Sequence, residues 1–322
     1  MSRAQAARSA DPVHRWAAVL YALVVVLGTG GLLAAAFSLA TGVGRLSVDA
    51  RHPHELVLLG ARVSYPYANA PAMVLVTLAA LGVLVLGAAA RSVARQLTTH
   101  RRFMRRLATL NAQAHGEALV FDDQRPRAFC AGLLRPRVYL SSGAAQALGA
   151  DELRAVLAHE SRHRERHDPL RATLATVLTE ALFFLPVMSR LRDGFVAVLE
   201  LAADDAAVAA CHGDAAPLAG AMLVFDDAAS PAGAVGIAPE RVDHLLGTPL
   251  TWRIPVRLLV AGALTVAAML VGAWASGQHA VMRTTLAVPL LSHKPCVLVL
   301  ACIPGLLAAV AACWLRGRRA VS

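Results

Sequence analysis

The stretch His159-Glu160-Ser161-Arg162-His163 decides how this chain is read. Positions four apart share one face of an α-helix, so both imidazoles can meet on one metal ion, and the glutamate between them stands beside the water at that ion without being a ligand. The flanks favour a helix: Asp151 stands just before the run, and Glu152, Leu153, Val156 and Leu157 continue it with good formers at apolar spacing. The competing reading is a surface helix rich in His, Glu and Arg, which the neighbouring Arg162, Arg164, Glu165, Arg166 and His167 would also produce.

A catalytic zinc site takes three protein ligands and keeps a further position open. Downstream, Glu200-Leu201-Ala202-Ala203-Asp204 sets two carboxylates on one helical face. Glu200 is then the third ligand, and Asp204 the acceptor that fixes the tautomer of a ligand histidine. Asp168, just past His163, is a second candidate for that outer role. Alone, Glu200 and Asp204 would read as solvated helix charges; after an intact HExxH, inside an alanine-rich helix, they read as parts of a metal site.

The ordered blocks around this motif carry a resemblance. Ala128-Phe129-Cys130-Ala131-Gly132-Leu133-Leu134-Arg135-Pro136-Arg137-Val138-Tyr139-Leu140-Ser141-Ser142 leads into Asp151-Glu152-Leu153-Arg154-Ala155-Val156-Leu157-Ala158-His159-Glu160, followed by Asp168, Phe183-Phe184-Leu185-Pro186 and Glu200 to Asp204. The order resembles the BlaR/MecR-type integral-membrane zinc metallopeptidases, with a more distant likeness to the HtpX and CAAX prenyl protease group. It covers about residues 115–210 and extends weakly to Arg241-Val242-Asp243-His244-Leu245-Leu246. The resemblance implies one Zn²⁺ per chain held by His159, His163 and Glu200, with Glu160 catalytic and Asp204 supporting. It also implies a protein or peptide substrate, with a transcriptional repressor as the expected one. No penicillin-binding domain follows before Ser322, so a sensor-less form is expected.

Composition agrees with a membrane protein: 57% of residues are hydrophobic and few are aromatic. Runs of about 20 apolar residues, enough to cross a bilayer, occur at 16–42, 71–90, 258–276 and 295–315. The first is too long for the apolar core of a cleaved signal and a second span follows it. The net charge of +10 is almost all arginine, since Lys294 is the only lysine, and with heavy Ala, Val and Leu usage this points to a high-GC bacterium. Arg91, Arg95, Arg101, Arg102, Arg105 and Arg106 follow the second span with no acid among them, a cluster suited to the cytoplasmic face and to anionic lipid headgroups. No recognition motif accompanies the charge, so nucleic-acid binding is not expected. The five cysteines form no disulfide framework and no C-x-x-C knuckle.

The expected fold is therefore a mostly α integral membrane protein of about four transmembrane helices with a small cytoplasmic α+β zincin-like domain. Residues 1–92 hold two N-terminal spans and an external loop, 93–250 the metallopeptidase, and 251–322 two C-terminal spans and a basic tail. The apolar run 170–189 separates His163 from Glu200, and ligands of one ion must lie on one side of the membrane. With Arg171, Glu180 and Pro186 inside it, this run is expected to enter or lie on the membrane and return, or else to be a soluble core helix. Positions near 110, 215 and 320 are then cytoplasmic, and those near 55 and 285 external.

Between the second span and the zinc helix, 118–121 and 127–140 have β-prone pieces around a turn at 132–136. Such a hairpin can hold a substrate as an added strand through Phe129, Ala131 and Gly132, or simply support the site; proline at Phe129 or Ala131 is the expected way to disrupt pairing. His212, Arg192 and His244 are unranked candidates for stabilising the oxyanion, and His167, four residues past His163, is an alternative ligand that reads more readily as a basic surface residue. The stretch 230–239 is expected to be a loop. The rival from another class is a membrane receptor or scaffold that keeps the metallopeptidase fold without catalysis; the intact Glu160 argues against it.

Overall fold

The computed structural model describes residues 3–45, 54–58, 61–65, 67–110, 112–229, 238–248, 254–280 and 282–283. The chain begins with α1 (Arg3–Arg45), a hairpin of β1 (His54–Leu58) and β2 (Ala61–Tyr65), the short β3 (Tyr67–Ala68) and α2 (Ala70–Ala108). Next come β4 (Gln113–His115), β5 (Ala118–Phe121), β6 (Ala128–Ala131) and β7 (Arg137–Ser141). The helices α3 (Ser142–Ala147), α4 (Ala150–Arg166), α5 (Asp168–Ala181), α6 (Pro186–Ala210), α7 (Ala216–Ala229), α8 (Pro239–Leu245) and α9 (Val256–His279) follow, then β8 (Met282–Arg283). Among the described residues, three helices are long and apolar enough to cross a membrane: Val13–Arg45, Ala70–Ala108 and Val256–His279. They match the first three expected spans; the expected span at 295–315, the basic tail and most of the 230–239 loop lie outside the described residues.

The chain divides into two compact units, residues 30–88 with 260–322 and residues 1–29 with 89–259. In the first, small residues let helices approach closely, as suits packing among apolar surfaces. A Cβ on Gly42 would lie 2.6 Å from that of Ala79, and one on Gly82 would lie 2.5 Å from the Ala35 carbonyl oxygen. Asn69 caps α2 by accepting from the Ala72 amide at 3.0 Å, and its side-chain amide donates to the His279 carbonyl at 2.7 Å. The antiparallel pair Tyr67↔Arg283 continues that junction, so the end of α9 and the start of α2 share one side.

In the second unit the sheet runs β4-β5-β7-β6, with β5 and β7 parallel and the other neighbours antiparallel. Val138 and Leu140 of β7 pack with Val156 of α4 and Ala221 of α7, which seats α4 against the sheet. On α4's other flank the small residues Ala155 and Ala207 let α4 and α6 close together. The α4 helix starts at Ala150 rather than after Asp151: Gly149 is its cap, its amide donating to Glu152 Oε2 at 2.9 Å, while Asp151 pairs with Arg154 at 2.6 Å.

The run 170–189 is not one helix. It is split between α5 and α6 by a turn at 182–185, with Pro186 opening α6, where a missing N–H costs nothing. No helix between residues 168 and 210 has both the length and the apolarity to cross a membrane, and the turn brings α6 back along α4.

Candidate metal centre

One helix face carries His159 and His163, and α6 brings Glu200 to them. His163 Nε2 lies 3.3 Å from His159 Nε2, Glu200 Oε2 lies 3.5 Å from His159 Nε2, and Glu200 Oε1 lies 3.7 Å from His163 Nε2. Two donors about 2.05 Å from one ion at a tetrahedral angle stand about 3.4 Å apart, so the spacing suits zinc. The donor chemistry agrees. Each ring turns Nδ1 to a carboxylate: His159 to Asp204 Oδ1 and His163 to Asp168 Oδ2, both at 3.0 Å. With protons drawn to Nδ1, both Nε2 atoms present lone pairs to each other, an arrangement that a metal ion between them, or a proton on one ring, satisfies. The His159–Asp204 approach is close but less well aligned than the His163–Asp168 hydrogen bond.

Each supporting aspartate is itself held by an arginine. Asp204, fully buried, takes two bonds from Arg241 of α8, at 2.8 Å from Nε and 2.5 Å from Nη2. Asp168 accepts from Arg171 Nη1 at 2.9 Å. The second relay exists because His167, in the left-handed conformation at φ 53°, reverses the chain between α4 and α5. Asp168 thereby returns to His163 as the first residue of α5. The exposed His167 stays outside the metal group, so it is not the alternative ligand.

Electrostatics follow burial and pairing. Burial pushes the Glu160 carboxyl above its ordinary range, against the pull of His159 and His163, as is common for groups that exchange protons at functional sites. Burial also pushes Glu200 up, but His159, His163 and Arg241 hold it down to about 2. Burial lowers His159, yet Asp204 and Glu200 outweigh it and lift its pKa to about 9, the signature of a cluster short of positive charge.

A cavity of about 610 Å³ opens over these groups, lined by Ala128 and Phe129 of β6, His159 and Glu160 of α4, Glu200 of α6 and Arg241, with an apolar wall from Val156, Leu218, Ala221, Met222 and Phe225. Arg241 is the residue that sequence reasoning left without a role, although its block had been noticed. Of the three oxyanion candidates none lines this cavity: Arg192 pairs with Asp193 at 2.6 Å, His244 with Asp205 at 2.8 Å, and His212 is exposed at the end of α6.

The hairpin departs from expectation in one respect. The bond from the Ser141 amide to the Arg127 carbonyl, 2.9 Å, and the register Phe129↔Tyr139 and Ala131↔Arg137 turn the Phe129 and Ala131 amides toward β7. The amides of Ala128 and Cys130 face the open edge instead, and the Cys130 backbone near Glu160 lowers that carboxyl's pKa slightly against the effect of burial. Ala131 is buried beneath the hairpin, and Gly132, at φ 115°, makes the turn, where a Cβ would lie 2.6 Å from the Arg135 carbonyl oxygen. Phe129 reaches the cavity; Ala131 and Gly132 do not line it.

A family model described as BlaR1 peptidase M56 matches residues 61–232. The chain belongs to that family. The matched stretch of this M56 peptidase includes the HExxH helix and Glu200–Asp204 but stops before Arg241, whose link to Asp204 emerges only in three dimensions. No curated protein and no solved structure matches the chain.

An M56 chain whose β6 edge holds substrate should respond to proline according to which way each amide points. Ala128→Pro removes an outward N–H and should cut cleavage several-fold with zinc and thermal stability kept. Phe129→Pro breaks the ladder to β7 and should lower stability by about 2–3 kcal/mol. Normal cleavage by zinc-loaded Ala128→Pro counts against pairing at this edge.

Proposed function

We propose that the protein is a membrane-embedded zinc endopeptidase that cleaves a cytoplasmic or membrane protein, with a transcriptional repressor as the expected substrate. The observation that carries this reading is the convergence of His159, His163 and Glu200 within 4.8 Å beside Glu160, which is half-buried, lines the cavity and stands outside that set. Zinc, when bound, supplies Lewis acidity to the scissile carbonyl and to the attacking water. Glu160 takes a proton from that water and passes it to the leaving nitrogen. Glu160 lines the same cavity as Ala128 and Phe129 of the edge strand, so the proton acceptor and a guest backbone would lie side by side. Arg241, raised in pKa because Asp204, Glu200 and Glu160 outweigh burial, keeps its charge at the cavity wall, where it favours developing negative charge. The test is retained zinc with lost hydrolysis in Glu160→Gln.

We place the peptidase, residues 93–250, in the cytoplasm between two N-terminal membrane helices and a C-terminal membrane part, with the arginines after α2 near anionic lipids. The shared side of the α9 end and the α2 start supports this orientation. In a cysteine-free background, single cysteines at 110 and 215 should resist an impermeant thiol reagent in intact cells, and one at 55 should react. Reaction at 215 with 110 protected contradicts the arrangement.

A further inference from the structure

We propose that Tyr21, on the first membrane helix, is a positioning residue for the metal centre, acting through Arg171 and Asp168 on His163. The inference rests on the metal reading above and goes beyond it by tying that centre to a specific ring in α1. His163 Nδ1 meets Asp168 Oδ2 at 3.0 Å, and Asp168 Oδ1 accepts from Arg171 Nη1 at 2.9 Å. The Arg171 guanidinium carbon lies 4.6 Å from the centroid of the Tyr21 ring and 5.1 Å from that of Phe195. The two rings are themselves 5.2 Å apart and tilted by 33°.

A guanidinium bonds a carboxylate through its edge while its planar face stacks on aromatic rings. The two faces offered by Tyr21 and Phe195 therefore hold the plane of Arg171 with an edge toward Asp168. Two aromatic quadrupoles attract the Arg171 cation without competing for Asp168. The helix carrying Tyr21 is itself closely seated on α5. A Cβ on Gly28, two turns beyond Tyr21, would lie 2.8 Å from Leu178 Cδ1, so α1 and α5 are in contact along both stretches. The relay uses the ring face and not the phenol hydroxyl, so phenylalanine preserves it and leucine does not.

Zinc affinity of the full-length protein in detergent, measured by competition against a chelator of known affinity, reads the relay directly. Asp168→Asn sets the scale, with about a 10–100-fold loss. Tyr21→Leu should weaken zinc binding by about tenfold, Tyr21→Phe should match the wild type, and the double variant Tyr21→Leu/Asp168→Asn should be no weaker than Asp168→Asn alone. Thermal melting of the metal-free proteins checks the fold. Should Tyr21→Leu fail to fold, Arg171→Lys, which keeps the charge and loses the planar stack, takes its place in the cycle. Unchanged zinc affinity in a folded Tyr21→Leu overturns the role of Tyr21, as do fully additive losses. A wild type that binds no zinc overturns the metal reading itself.

Discussion

Glu160→Gln should keep one zinc per chain and lose peptide hydrolysis by about 10²–10⁴-fold, the usual contribution of a positioned proton-transfer group. The side chain is not needed to hold the ion: it is absent from the set His159, His163 and Glu200. Glutamine preserves the volume, so the edge strand and the ligands keep their places. What is lost is a carboxylate that burial has lifted above its ordinary range. Hydrolysis and metal content measured on one preparation separate this result from Glu200→Ala, where both should fall together. Full hydrolysis by Glu160→Gln removes the peptidase reading and leaves a scaffold that retains the fold.

Asp204→Ala carries the second large effect, because one buried carboxylate serves two partners. It stands 3.0 Å from His159 Nδ1 and takes both bonds of the Arg241 fork. Alanine leaves His159 free to rotate, which should weaken zinc binding by about 10–100-fold. It also strands the Arg241 guanidinium beside Glu200 with a weaker partner, 3.6 Å away. Breaking a buried ion pair costs about 3–5 kcal/mol, and the lower end applies because Arg241 keeps 23% of its side-chain exposure. Thermal melting of the metal-free variant should therefore show destabilisation that Glu160→Gln does not. Zinc affinity and melting both unchanged would make Asp204 a bystander.

The metal centre was legible because helical spacing encodes it: His159 and His163 are four apart, as are Glu200 and Asp204, and each pair needs only its own helix to align. The supporting arginines were not, because Arg171 and Arg241 acquire their roles through tertiary contacts. Arg171 in particular looked like a flaw in an apolar run, and it is the partner of Asp168 and of two aromatic rings. The run 170–189 was legible as no simple crossing from Arg171, Glu180 and Pro186, but hydropathy averaged over 20 residues conceals its turn, and Pro186 was the local signal that α6 begins there. The hairpin was visible in its β-prone pieces and turn, but the direction of each amide depends on pairing parity. That parity is set by the register against β7, which moved the outward amides to Ala128 and Cys130. The three long apolar helices, by contrast, follow from composition alone.

The central claim is that His159, His163 and Glu200 hold a single zinc ion. X-ray absorption at the zinc edge of the purified full-length protein tests it most directly. The account predicts one zinc per chain with a nitrogen and oxygen shell at about 2.0–2.2 Å and the outer-shell pattern of two imidazoles. A protein without zinc, or a shell containing sulfur at about 2.3 Å, would contradict it.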